Sequence, residues 1–377
     1  MPPSHVVVNA RLLLPHSTEG IARFATEVLR RMTTRHPEVR FSFLFDRPFD
    51  ESFIFSSNVV PYVVSPPARH PLLWYAWFHQ TTPRKVIALK PDVYFSPELY
   101  LCPYLRVPKV AVFHDVAYEH YPEILSWSHG WYLRHYSPIY QAAADHILTV
   151  SEFNRQDIHQ VYGTPLDKLS VAYNGVSEGF HPLHAEAQQA TRNRFAEGNP
   201  YFLFVGTMQP RKNLTRLLQA FDRFKSQWDT PMRLLIVGKP GFKHRELQQV
   251  YAQMTHRDAV TFTGRVSATD LNALYASALA LTFVPLYEGF GLPIVEAMRA
   301  GTAVLCAQVS AMPEIYGEAA YGVDPLHVPQ IAEGMAALYQ DAGLRSRLIQ
   351  QGFTQQAQFT WDRCYESAWA AVAQYLP

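Results

Sequence analysis

Short apolar runs alternate with stretches of helical period along the whole of this 377-residue chain. That alternation narrows the fold more than any other feature. Strand, helix and strand in succession build parallel sheets whose strands are covered on both faces and so read as unbroken apolar runs. In the first half, strands are expected over residues 6–9, 41–45, 93–95, 109–113 and 147–150. A helix over about 21–35 separates the first two, with Ile21, Phe24, Ala25, Val28, Leu29 and Met32 recurring at helical period. The pattern restarts after Asn174-Gly175-Val176. Residues 181–199 are polar, and a second series of strands follows over 201–205, 233–237, 260–262, 280–284 and 303–306. Helices expected over 214–228, 246–254, 270–277 and 292–300 separate them. Length alone suggests two domains or three. The expected division is 1–180, 181–358 and an amphipathic terminal helix over 359–377 that packs back toward the first domain.

Composition excludes several classes. Hydrophobic residues make up 48% and charged residues 17%, as in a globular protein with a large core. No run of eighteen apolar residues is present, so no membrane-spanning helix is expected. Met1-Pro2-Pro3-Ser4-His5 leads straight into Val6, Val7 and Val8, which reads as a strand with no signal peptide before it. Cys102, Cys306 and Cys364 are far apart, lack metal or redox spacing, and are expected to be buried small hydrophobes in a reducing, cytoplasmic setting. A formal net charge of +1 argues against nucleic acid as a partner.

Three segments carry chemistry. In Glu288-Gly289-Phe290-Gly291-Leu292-Pro293-Ile294-Val295-Glu296, a strand end is followed by a glycine-rich turn and a helix start. Gly289 and Gly291 permit a tight loop, Pro293 suits a first helical turn, and free N–H groups at such a turn attract anions. Glu288 lies in the loop, where it could face a reacting sugar. Glu296 lies about one turn into the helix, where it could accept from ribose hydroxyls. A glycine-rich turn with two solvated glutamates would look the same. In Val205-Gly206-Thr207-Met208-Gln209-Pro210-Arg211-Lys212-Asn213, two adjacent cations follow a strand and precede a helix. Arg211 can grip a diphosphate bidentately and Lys212 acts as a point charge, although a solvated basic turn has the same look. His114-Asp115 follows the apolar strand at 109–113, at the sheet edge where α/β folds bind ligands. There a histidine could bond a sugar hydroxyl or pass a proton, or simply cap the strand end. No Walker loop, GxGxxG fingerprint or Asp-x-Asp motif is present, and no metal site is expected.

Taken together, Arg211-Lys212-Asn213, Gly264-Arg265-Val266, the paired-glutamate segment, Ala300-Gly301-Thr302-Ala303-Val304-Leu305 and Met312-Pro313-Glu314-Ile315 resemble family 4 of the glycosyltransferases. The resemblance is nearly continuous over residues 201–325. In the first half it is weaker, through Glu19-Gly20-Ile21-Ala22-Arg23, His114-Asp115, Ser151-Glu152-Phe153 and Asn174-Gly175-Val176. Within the family the chain looks most like bacterial mannosyltransferases of surface-polysaccharide assembly.

The resemblance implies an α/β fold of two Rossmann-like domains facing across a cleft, the GT-B type, with the terminal helix crossing back. The acceptor would bind the first domain and the nucleotide sugar the second. It implies retention of anomeric configuration with neither cofactor nor metal. Glu288 and His114 would be the catalytic residues, His114 reaching the sugar from the other domain. Gly206, Arg211, Lys212, Arg265, Val266, Phe290, Gly291, Leu292 and Glu296 would hold the donor. Lys212 and Arg211 would take the diphosphate, Arg265 and Val266 the base, the N–H groups of Phe290, Gly291 and Leu292 the sugar or diphosphate, and Glu296 the ribose. Two departures stand out. Thr207 occupies a position often held by arginine, and Gly20 stands alone where a phosphate loop often has two glycines.

The implied partners are a GDP- or UDP-sugar and a saccharide or lipid-linked saccharide, with no nucleic acid. A UDP-glucose or UDP-N-acetylglucosamine transferase, a nucleotide-sugar epimerase of the same architecture, and a non-catalytic carbohydrate-binding scaffold are the competing readings. The stretches 69–79 and 127–136 mix aromatic and basic residues. They suit a peripheral contact with the inner face of the membrane through Trp74 and Trp77, a sugar-binding face, or an aromatic helix packed in the core.

Overall fold

The computed structural model describes residues 3–15, 20–239 and 245–377. The chain divides into two compact units, Met1–Gly175 with Thr360–Pro377, and Val176–Phe359. The division therefore falls before residue 180, because the intervening segment folds onto the second unit. Val176 N donates to Phe359 O (3.0 Å), His181 N donates to Asn272 Oδ1 (2.9 Å), and Phe180 lies edge-on to Tyr275.

The first unit is built on seven strands: β1 (His5–Asn9), β2 (Arg40–Phe45), β3 (Val59–Val63), β4 (Val93–Ser96), β5 (Lys109–Phe113), β6 (His146–Thr149) and β7 (Leu169–Val171). Their spatial order is β3-β2-β1-β4-β5-β6-β7, and every pair is parallel. The second unit has six: β8 (Tyr201–Val205), β9 (Arg233–Val237), β10 (Val260–Gly264), β11 (Ala280–Phe283), β12 (Ala303–Ala307) and β13 (Tyr321–Val323), in the order β10-β9-β8-β11-β12-β13. These pairs are parallel too. Both units are Rossmann-like, with the order reversing between β1 and β4 and between β8 and β11.

Central strands are buried along their whole length, as β1 and β12 are, which is why they appear as apolar runs. Three strands carried no such signal. β3 lies at a sheet edge and contains Pro61, tolerated there because an edge strand can forgo a ladder donor. β7 and β13 are three-residue edge strands.

The helix Gly20–Arg35 buries Phe24, Ala25, Val28, Leu29 and Met32. The terminal helix Trp361–Ala373, capped by Thr360 Oγ1 accepting from Arg363 N (3.2 Å), adds Trp361, Cys364, Tyr365, Ala368, Ala371 and Val372 to the same core. His36 stacks on Trp369 at 3.7 Å, and Arg31 and Arg35 both bond Asp362. All three cysteines are buried and unbridged. No helix among the described residues is long and apolar enough to cross a membrane.

Candidate active site

The site in the second unit forms where the strand order reverses. The loop after β8 enters a short 3-10 turn, Pro210–Lys212, and then Asn213 adopts a left-handed conformation (φ +59°). Asn213 Nδ2 donates to Val284 O (2.9 Å) and Pro325 O (2.7 Å), tying this loop to the end of β11. Leu286 N donates to Arg211 O (2.7 Å), a second tie between the two loops.

These ties bring the motif residues together. Arg211 Nη1 donates to Glu288 Oε1 (2.7 Å) and Tyr287 O (3.1 Å), and Lys212 Nζ pairs with the same Glu288 oxygen. Lys212 Nζ also lies 5.2 Å from the Phe283 ring centroid. Glu288 N donates to Ser310 Oγ (3.0 Å). Glu288 and Lys212 are buried, at 7% and 8% exposure, so the charges face each other with little water between them. Burial pushes the Glu288 carboxyl up, but the charges and hydrogen bonds of Arg211 and Lys212 outweigh it and hold the group below the usual carboxylate range. Two cations thus face one carboxylate in this cluster.

Beyond Glu288 the chain turns through Gly291 (φ +96°) into the helix Leu292–Arg299, with Pro293 in its first turn. Phe290 is buried, and in that first turn Pro293 has no N–H while Ile294 N donates back to Gly291 O (2.9 Å). Glu296 is buried inside the helix, and Tyr275 Oη donates to its Oε2 (3.0 Å). Gly206, Gly238 and Gly264 stand side by side at the ends of β8, β9 and β10, with Gly238 N donating to Gly264 O (2.9 Å). They leave that stretch of the sheet edge free of side chains. Arg265 is exposed and Val266 half-buried just beyond it. Among the described residues, no group of three or more His, Cys, Asp or Glu side chains converges as a metal set.

In the first unit, His114 follows β5. Its Nε2–H donates to Pro97 O (3.0 Å), its carbonyl accepts from Asn154 Nδ2, and its ring meets Phe24 edge-on at 5.0 Å. Burial lowers its pKa and so favours the neutral ring, in which, with Nε2 donating, Nδ1 carries the lone pair. Gly20 opens the helix that carries Phe24, and Glu19 lies outside the described residues.

Sequence reasoning missed several residues. Tyr275 sits in a helix outside every quoted motif, and Ser310 lies between the quoted segments 300–305 and 312–315 without belonging to either. Asn213 lay inside a quoted motif but received no role. At the ends of β1 and β4, a buried Arg11–Glu98 ion pair shares Glu98 with Asn9 Nδ2 (2.7 Å), and the Arg11 guanidinium lies 4.6 Å from the Tyr100 ring centroid.

Known proteins resemble the chain over both units. The family described as "Glycosyltransferase Family 4" matches residues 18–179, and "Glycosyl transferases group 1" matches residues 186–355. An O-antigen chain mannosyltransferase of Escherichia coli is 32% identical over 300 residues, 78% of each chain. Another, from Salmonella typhimurium, is 29% identical over 71% of each. Among solved structures, sucrose-phosphate synthase from Thermosynechococcus elongatus superposes with a TM-score of 0.79 at 15% identity, covering 98% of both chains. The Anabaena protein HepE, solved with UDP and glucose, gives 0.76 at 16% identity over 98% of this chain and 99% of its own. The matched stretches, the relative that is 32% identical over 78% of each chain and the pair of Rossmann-like units agree, and the chain belongs to family 4 of the glycosyltransferases.

Proposed function

We propose that this protein is a metal-independent retaining glycosyltransferase that transfers mannose from GDP-mannose to a saccharide or lipid-linked saccharide in surface-polysaccharide synthesis. The observation that carries the reading is the buried Glu288 gripped by Arg211 and Lys212 at the strand-order reversal of the second sheet. The departing nucleoside diphosphate gains negative charge as the sugar leaves. Two fixed cations there stabilise it, as a metal would in other enzymes. The O-antigen mannosyltransferases among the relatives support the sugar. In this reading Gly206 and the N–H groups of Phe290, Gly291 and Leu292 line the donor, Arg265 and Val266 flank the base, and Glu296 accepts from the ribose. His114 takes a sugar hydroxyl on Nδ1, and Gly20 contributes to phosphate binding. The protein works in the cytoplasm, peripheral on the inner membrane face.

The test is GDP release from GDP-mannose. It is expected to depend on added acceptor and to be unchanged by EDTA. Acceptor-dependent release from UDP-glucose or UDP-N-acetylglucosamine instead would reassign the donor. Activity lost in EDTA and restored by manganese would overturn metal independence, and no acceptor-dependent release from any donor would overturn transfer itself.

Glu296→Gln is expected to raise the donor KM about tenfold with kcat nearly unchanged. A ribose contact acts equally in the ground and transition states, so it contributes uniform binding. Steady-state kinetics with varied donor checks this. A loss confined to kcat would remove Glu296 from the ribose.

A further inference from the structure

The first unit carries an aromatic face that runs outward from the core, against which Tyr136 packs. Trp131, Tyr136, Tyr75, His79 and Tyr104 form a continuous chain of ring contacts, with centroid separations of 6.5, 6.1, 4.7 and 5.8 Å. Trp131 and Tyr104 are 50% and 73% exposed. Leu72, on the same short helix as Tyr75 (Pro71–Ala76), is 75% exposed. Trp127, one turn before Trp131 on the helix Trp127–Ala143, is 83% exposed. Large side chains exposed together mark an interaction surface, whereas scattered ones do not.

Charge identifies the partner. The three stretches that build this face, 69–90, 99–109 and 124–144, contain no Asp or Glu, although the chain has 32 acidic and 33 basic residues. They expose Arg69, Arg84, Arg106 and Arg134. Tryptophan and tyrosine beside arginine suit the headgroup level of a bilayer, where rings insert and cations meet anionic lipid. A second copy of this chain fits less well, because a two-fold contact would bring the same arginines together. Trp74 and Trp77, the anchors expected from sequence, lie beneath this face. Trp77 is fully buried with its Nε1 donating to Val64 O (2.8 Å), and the half-buried Trp74 donates to Ala68 O (2.7 Å).

We propose that this face seats the protein on an anionic lipid surface, with Trp127, Trp131, Leu72 and Tyr104 entering the interface and the arginines on the headgroups. The inference deepens the peripheral-contact reading and rests on it. The test is flotation of the full chain with phosphatidylcholine vesicles, with and without phosphatidylglycerol. Wild type is expected to float only with the anionic vesicles and to be released by raised salt. Trp127→Ala with Trp131→Ala is expected to lower partitioning about tenfold, and Arg106→Glu with Arg134→Glu by at least about fivefold per position, all with unchanged Tm. Wild type that ignores anionic vesicles overturns peripheral contact altogether. Wild type that floats while both double variants float equally well leaves peripheral contact standing and overturns this face. A concentration-dependent dimer abolished by the tryptophan variant, without flotation, assigns the face to self-association and overturns the lipid.

Discussion

Glu288→Gln is expected to lower kcat about a hundredfold or more, with a smaller change in donor KM. The residue sits against Arg211 and Lys212, the two cations proposed to hold the diphosphate, so a neutral amide changes the field around them in two ways. It removes the negative charge that can oppose positive charge developing at the anomeric carbon. It also leaves Arg211 and Lys212 side by side without their shared counter-ion. The second effect reaches stability, because removing one partner of a buried ion pair costs about 3–5 kcal/mol. Tm must therefore be measured with the kinetics. The pH dependence has a definite sign. The folded Glu288 carboxyl lies below its ordinary range, so its contribution to stability is present above that range and is lost as pH falls through the lowered folded value. The Tm gap between wild type and Glu288→Gln should close on the acid side. A variant that changes only KM would make Glu288 a binding residue, and a pH-independent Tm gap would mean the ion pairs contribute no linkage.

Gly238→Ala is expected to be the most disruptive single methyl in the second unit. A Cβ at Gly238 would stand 1.9 Å from Gly206 O, and its φ of +145° is a region side chains rarely adopt. Both obstacles are backbone, so no side chain can rotate away. Backbone strain of this kind costs about 1–3 kcal/mol before the clash is counted. A total of about 3 kcal/mol or more corresponds to a Tm drop of roughly 6–12 °C for a domain of this size. Gly264→Ala is the control. Its φ is +72°, but nothing lies within 4 Å of the added methyl, so only the conformational part, about 1–2 kcal/mol, should appear. Equal Tm losses at the two positions would show that the close approach of the β8 and β9 ends is not what decides.

The sequence by itself determined where the central strands lie, because a parallel strand covered on both faces is an unbroken apolar run, as residues 201–205 and 303–307 are. The chemistry on offer is legible too, since Arg211, Lys212 and Glu288 stand at strand-to-helix turns that their neighbours make recognisable, and Glu296 in the helix that follows one. What those groups touch is set by how the chain folds. Arg211 and Glu288 are 77 positions apart and meet because β8 and β11 are adjacent in the sheet, an order that local periodicity does not encode. The same reason hid Tyr275 behind Glu296 and the approach of Gly238 to Gly206. The edge strands β3, β7 and β13 escaped notice because Pro61 in β3 and the three-residue length of β7 and β13 leave little apolar pattern. Trp77 and Trp127 are the same residue type in similar aromatic stretches, yet one is in the core and the other in solvent. Which face a helix turns inward is settled by what packs against it, and only the folded chain supplies that neighbour.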